Sequence, residues 1–202
     1  MRIAILGAGA WGTALAISLS SAHEVRLWTR SAADREALQG TRRSRYLAEV
    51  ELPPSVAIAG SVGEATDAAE LVIAATSTAG LRETCGRLAG AGSRVPLLWA
   101  CKGFEAASGL FAHEVVAQTL GAEVAAGALS GPSFALEVAR GLPTALVLAS
   151  RDGAFAARAT AALNSPRLRI YSSTDVVGVE LGGAVKNVIA IAAGIADGLE
   201  LG

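Results

Sequence analysis

The chain has 202 residues, 52% of them hydrophobic and 4% aromatic, with 23 glycines and a formal net charge of −1. A chain of this length can bury roughly 70% of its unfolded surface, and a composition rich in alanine and glycine suits helices packed on a buried parallel sheet better than a β-sandwich. Mixed acids and bases exclude nucleic acid as the expected partner, and Cys85 and Cys101, which form neither a C-x-x-C pair nor a ligand-spaced cluster, exclude a metal site or disulfide framework.

The apolar run Arg2-Ile3-Ala4-Ile5-Leu6 predicts a strand that passes into Gly7-Ala8-Gly9-Ala10-Trp11-Gly12, and Thr13 to Leu19 continues at helical spacing. A glycine loop between strand and helix lets backbone approach a pyrophosphate in front of a helix N-terminus. Gly7, Gly9 and Gly12 therefore mark a dinucleotide site, the alternative being a purely structural tight turn. No basic n-region or cleavage site of a secretory signal precedes the strand, and with the thiols expected to be free the expected location is the cytoplasm.

A second strand, Val25 to Trp28, leads to Arg30, where NAD-specific folds carry an acidic residue for the ribose hydroxyls. A guanidinium there can pair with a 2′-phosphate, so NADP(H) is favoured over NAD(H), against the plainer reading of a solvent-facing loop charge. Arg42, Arg43 and Arg45 beside Tyr46 read as a solvated loop rather than a phosphate contact.

A short helix and an irregular stretch ending at Leu52-Pro53-Pro54 precede a short strand, Val56 to Ala59. Leu71 to Ala75 reads as a central parallel strand whose carboxyl end meets a helix cap at Thr76-Ser77-Thr78. Val95 to Ala100 repeats the pattern and puts Lys102 just past a strand end, where an ammonium can reach an anion or simply be solvated. His113, on a helix around Leu110 to Leu120, and His23 read as surface or packing residues. The strand Val124 to Leu129 runs into Ser130-Gly131-Pro132-Ser133-Phe134-Ala135, with Pro132 suited to a first helical position and Ser133 able to cap the helix or to contact a ligand. A nucleophilic serine is disfavoured, since G-x-S-x-G is absent. Two further strands, Thr144 to Leu148 and Leu168 to Tyr171, flank an alanine-rich helix.

From Thr174, read as an N-cap, a long helix is apolar almost all round. Its length would cross a bilayer, yet Glu180, Lys186 and Asn187 in its middle favour a buried helix of a soluble protein with no membrane span. Gly182 and Gly183 share a face with Lys186 and Asn187 and leave room for a ligand. Burial lowers a lysine pKa, and Lys102 nearby would lower it further, so Lys186 can exchange a proton with a substrate hydroxyl. Glu180 lies six positions away, about 240° around the helix, which excludes a direct pair with Lys186.

Taken in order, Gly7 to Ala16, Cys101-Lys102-Gly103, Leu129 to Ala135 and Gly178 to Ala190 resemble the successive motifs of the bacterial NAD(P)-dependent glycerol-3-phosphate dehydrogenases. The resemblance implies a small-molecule substrate and the interconversion of dihydroxyacetone phosphate and sn-glycerol 3-phosphate, the step that supplies the glycerophospholipid backbone. It implies an α/β fold, Rossmann-type and doubly wound with a mainly parallel sheet, in residues 1–172, and the first helix of an all-helical substrate-binding domain in 173–202. It places Ala10, Trp11, Arg30 and Ala135 at the dinucleotide, Lys102 at both cofactor and substrate, Gly131 and Ser133 at the substrate, and Lys186 as the proton acceptor. The family pattern differs at Ala10, where serine is usual, at Cys101, where threonine or serine is usual, and at Thr76, where proline is usual. It also continues past position 202 with an aspartate near the lysine and an Arg-Asn pair for the substrate phosphate. An apolar helix without those partners is expected to form a homodimer or to be poorly soluble, and a non-catalytic NADP(H)-binding fragment is the alternative function.

Overall fold

The apolar stretch Ile3 to Leu6 of β1 (Arg2–Leu6) and the whole of β4 (Leu71–Ala74) lie side by side in one sheet and are buried because helices cover both faces. The computed structural model describes residues 1–201. The other strands are β2 (Glu24–Trp28), β3 (Val56–Ala59), β5 (Leu97–Trp99), β6 (Ala126–Ser130), β7 (Thr144–Ala149) and β8 (Leu168–Ser173). Between them run α1 (Ala10–Leu19), α2 (Ala32–Thr41), α3 (Val62–Thr66), α4 (Thr78–Gly90), α5 (Ala112–Leu120), α6 (Ala135–Ala139) and α7 (Gly153–Leu163), and α8 (Val176–Gly198) follows the last strand.

The sheet order is β3-β2-β1-β4-β5-β6-β7-β8. Side chains alternate across it: Ile3 and Ile5 pack with Leu15 of α1 and Phe155 of α7, whereas Ala4 and Leu6 pack with Leu81 of α4 and Val115 of α5. The chain leaves β1 toward β2 and returns to β4 on the other side of β1, so the carboxyl ends of these strands open a crevice at a topological switch point. Direction then reverses once, because β7 is antiparallel to β6 and β8 is parallel to β7. As a result β8 ends at the edge away from the crevice, and α8 starts there and climbs back toward it.

The carboxylates of Asp152 and Asp175 accept the backbone N–H of Phe155 and Gly178 at the starts of α7 and α8. At the crevice, Ser31 caps α2, whereas the N-cap residues of α1 and α4, Gly9 and Ser77, provide no side-chain cap. Those first-turn N–H groups and the positive helix ends face the opening.

Four sequence expectations need correction. The cap of α8 is Asp175, not Thr174, because it is the Asp175 carboxylate that accepts the Gly178 N–H, at 2.8 Å. Neither Pro132 nor Ser133 starts a helix: α6 begins at Ala135, with Phe134 at the N-cap position and no side-chain cap, and the segment before it is a connection along the crevice. The long helix is not buried. Only Val176 and Glu180 are buried, while Val188 and Ile191 are 68% and 65% exposed. A 23-residue helix extends about 35 Å, and the strands it crosses, β6 and β7, support only its first turns. Lys186 is exposed for the same reason, instead of buried. By length and composition α8 is long and apolar enough to cross a membrane, with Glu180 and Lys186 inside it.

Candidate active site

The loop between β1 and α1 is shaped by contacts that only glycine permits. Gly7 has φ +117°, and a β-carbon there would lie 2.5 Å from the Ala75 carbonyl oxygen; one on Gly12 would lie 1.8 Å from the oxygen of Gly7. Gly12 is therefore buried under the loop, letting α1 approach β1, and does not line the crevice. Around Gly9 the space is open. The loop is held from below, where the Ser44 hydroxyl donates to the Ala8 carbonyl at 3.0 Å and the Gly7 N–H donates to that of Trp28 at 2.8 Å. An open glycine at an uncapped helix start fits a pyrophosphate, as the dinucleotide reading requires.

Beyond the loop toward β2 lies a cavity of about 420 Å³ lined by Arg30, Asp34, Arg45, Tyr46, Glu83 and Arg87 among others. Arg30 donates to Glu83 at 2.6 Å and Arg87 donates to the same carboxylate at 2.9 Å, which holds the Glu83 carboxyl below its usual range, Arg87 contributing most. Arg45 stands 4.8 Å from the centre of the Tyr46 ring and pairs with Asp34 at 3.0 Å. The basic cluster, expected to be a solvated loop, is thus divided. Arg42 turns inward and donates to the carbonyls of Pro53 and Val56, Arg43 pairs with Glu51, and Arg45 reaches the cavity. Sequence reasoning missed Arg45 and Tyr46 because the fold-back of the 42–52 segment, anchored by buried Leu47 against Ala14 and Val138, carries no local signature.

On the other side, sharing Ala75, Thr76 and Ser77, a cavity of about 580 Å³ brings together Ala10, Trp11, Lys102, Gly131, Ser133, Ala135 and Lys186. The Lys102 ammonium donates to the Gly131 carbonyl at 2.8 Å. Its pKa is lowered, first by burial and then by the charge of Lys186. Thr78, in the first turn of α4, donates its hydroxyl to the Lys102 carbonyl at 2.8 Å. Glu105 in the same loop takes two bonds from Arg82, both 2.8 Å, which with Ser108 pull its pKa down to about 2. Phe134, 72% exposed, stands at the cavity mouth, and no feature of the sequence marked it.

α8 forms the remaining wall. A smaller cavity of about 280 Å³ lies between Lys102, Gly131 and Pro132 on one side and Gly178, Gly182, Gly183 and Lys186 on the other. Lys186 donates to the side-chain oxygen of its neighbour Asn187 at 2.9 Å. Glu180 turns away from it and contacts His113 of α5, a partner the sequence reading had not given that histidine. Cys85 and Cys101 are free, and burial pushes their thiols up to about 12 and about 11, so neither is a nucleophile near neutral pH.

Comparison with known proteins follows the same outline. The model of the NAD-dependent glycerol-3-phosphate dehydrogenase N-terminus matches residues 2–156, and that of the C-terminus matches residues 175–202. The glycerol-3-phosphate dehydrogenase (NAD(P)+) of Dechloromonas aromatica is 54% identical over 203 residues, covering 100% of this chain and 62% of the relative. That of Nitrosospira multiformis is 52% identical with the same coverage. The chain thus spans about 62% of the length of the curated relatives it matches. The crystal structure of glycerol-3-phosphate dehydrogenase from Coxiella burnetii superposes with a TM-score of 0.89 at 37% identity, over 99% of this chain and 62% of that one.

Proposed function

Because the chain belongs to the NAD-dependent glycerol-3-phosphate dehydrogenase family, we propose that it supplies the cofactor cleft and the proton-transferring lysine for interconverting dihydroxyacetone phosphate and sn-glycerol 3-phosphate. The observation that carries this reading is the meeting of Lys102 and Lys186 in one cavity that opens onto the glycine loop. Residues 1–172 act as the dinucleotide-binding part and residues 173–202 as the first helix of the substrate-binding part. The two family matches, which leave residues 157–174 between them, support that division.

Gly7, Gly9 and the first-turn N–H groups of α1 hold the pyrophosphate, Trp11 and Ala135 line the path to the substrate, and Arg30 takes the adenosine end. When bound, the dinucleotide supplies or accepts the hydride exchanged with the substrate carbon. Lys186 accepts the hydroxyl proton on oxidation and returns one to the ketone oxygen on reduction. Lys102, desolvated and fixed by the Gly131 carbonyl, presents positive charge to the substrate oxygen or phosphate, with Gly131 and Ser133 beside it. NADP(H) is the preferred cofactor on this reading, because Arg30, Arg45 and Arg87 outnumber Asp34 and Glu83 around the adenosine cavity. A cytoplasmic enzyme feeding glycerophospholipid synthesis follows, and the inward contact of Glu180 supports α8 as part of a soluble fold.

The test is oxidation of NADPH dependent on dihydroxyacetone phosphate, in this chain and in a version extended to the length of the relatives. Lys186→Ala should lower the rate about 100-fold or more where turnover is seen; a rate within a few fold of the original overturns the assignment. A second reading, a non-catalytic NADP(H) binder that pairs through α8, is favoured by the exposure of Val188, Ile189, Ile191 and Ile195. Binding of NADPH by a sedimenting dimer with no turnover in either version would select it.

A further inference from the structure

Beyond its first turns α8 touches little, so something must decide where Lys186 stands. Glu180 is 9% exposed, and a carboxylate is costly to bury unless its oxygens are satisfied. Both are: Oε1 accepts the backbone N–H of His113 at 2.9 Å, and Oε2 lies 2.5 Å from His113 Nδ1. That N–H belongs to the first turn of α5, where it has no partner within its own helix and where the helix end favours negative charge. The His113 ring stacks on Phe111, with centroids 5.6 Å apart, and Phe111 lies 4.9 Å from Phe104. Phe104 is two residues from Lys102. A continuous set of contacts therefore runs from α8 through His113 and the two phenylalanines to the loop of the other lysine.

We propose that Glu180 is a positioning residue whose two contacts with His113 fix α8 against α5, and so set the separation of Lys186 from Lys102. The proposal rests on the two-lysine reading of the cleft given above. Six residues separate Glu180 from Lys186, about 9 Å of rise and about 240° of rotation, so a carboxylate held toward α5 directs the lysine away from α5, toward Gly131. A leucine at 180 would serve packing alone; two hydrogen bonds also fix rotation about the helix axis. The charge of Glu180 is felt at Cys101, next to Lys102, which agrees with this placement.

The test uses a peculiarity of the chain: Lys102 and Lys186 are its only lysines. With lysine labelled by ¹³C at Cε, only two residues give signals, and that of Lys102 is followed against pH. In the unaltered chain, Lys186→Met should raise the midpoint of Lys102 by removing the neighbouring charge. In the Glu180→Ala background that rise should fall to less than about half, whereas Glu180→Gln, whose amide can still bridge both His113 groups, should preserve it. His113→Ala, which keeps the backbone N–H, gives a milder version should Glu180→Ala fold poorly, and should also diminish the rise. An equal rise in all backgrounds overturns the proposal, as does Glu180→Gln behaving like Glu180→Ala. A merely structural loss would lower thermal stability without changing this coupling. No turnover is needed for the readout, so failure to reduce dihydroxyacetone phosphate bears on the proposed function alone.

Discussion

Gly183 and Ser130 stand so close that a β-carbon on Gly183 would lie 3.2 Å from the Ser130 hydroxyl oxygen, and 3.3 Å from Cγ of Lys102. Its neighbour Gly182 has open space where a β-carbon would be. Replacing a helical glycine by alanine stabilises a helix by about 0.5–1 kcal/mol when nothing is displaced. Gly182→Ala should show that gain as slower hydrogen exchange of the α8 amides. Gly183→Ala should show less or none, because Ser130 and the Lys102 stem must yield by a few tenths of an ångström.

The glycine loop separates binding from folding in a second pair. Gly9→Ala adds a methyl group into open space, so the urea midpoint should hold. A methyl that forces atoms apart costs about 1–3 kcal/mol, and set against an incoming pyrophosphate that is roughly a tenfold or greater rise in the Kd for NADPH. Gly12→Ala meets the Gly7 oxygen instead. Its loss should appear first in the urea midpoint, with or without cofactor.

Cofactor preference should respond to the partner of Arg30 as well as to Arg30. Glu83 occupies that guanidinium at 2.6 Å, and a 2′-phosphate must compete for it. Glu83→Gln should tighten NADPH relative to NADH by several fold, a modest factor because the pair is exposed to solvent. Arg30→Asp should shift the ratio the other way. Fluorescence titration of both nucleotides reads the ratio, and unchanged relative affinities in both variants would remove Arg30 from the site.

Acid should loosen the Lys102 loop within a defined window. Arg82, and after it Ser108, hold the Glu105 carboxyl down to about 2 from its ordinary 4.5. A depressed carboxylate contributes stability that is present above its ordinary value and is lost as pH falls through the folded one. The pair should therefore hold at pH 5 and give way between about 4.5 and about 2. Arg82→Met should move the Glu105 carboxyl signal in ¹³C NMR back toward 4.5 and remove that acid dependence.

What could be read from sequence was mostly what repeats. Strands such as Leu71–Ala74 are continuous apolar runs because both faces are covered, and in a parallel sheet their ends face one edge. Lys102 and Gly131, each just past a strand, could thus be placed on the crevice by counting. The direction of β7 could not, because Thr144-Ala145-Leu146-Val147-Leu148 reads the same in either orientation. Nor could pairs such as His113 with Glu180, which are 67 residues apart and meet only after α5 and α8 are both placed. The exposure of α8 was misread because an apolar sequence states which environment would suit it, not whether the chain provides one.

The reversal at β7 makes α8 a ruler. Because β8 delivers the chain to the far edge of the sheet, the distance from Asp175 back to the crevice is spanned by a fixed number of helical residues. Ten steps from Val176 to Lys186 rise about 15 Å, close to the length of a five-residue strand. One residue inserted between Glu180 and Lys186 would lift the lysine by about 1.5 Å and swing it by about 100°. Point substitutions along this stretch test chemistry, whereas a change in its length tests aim.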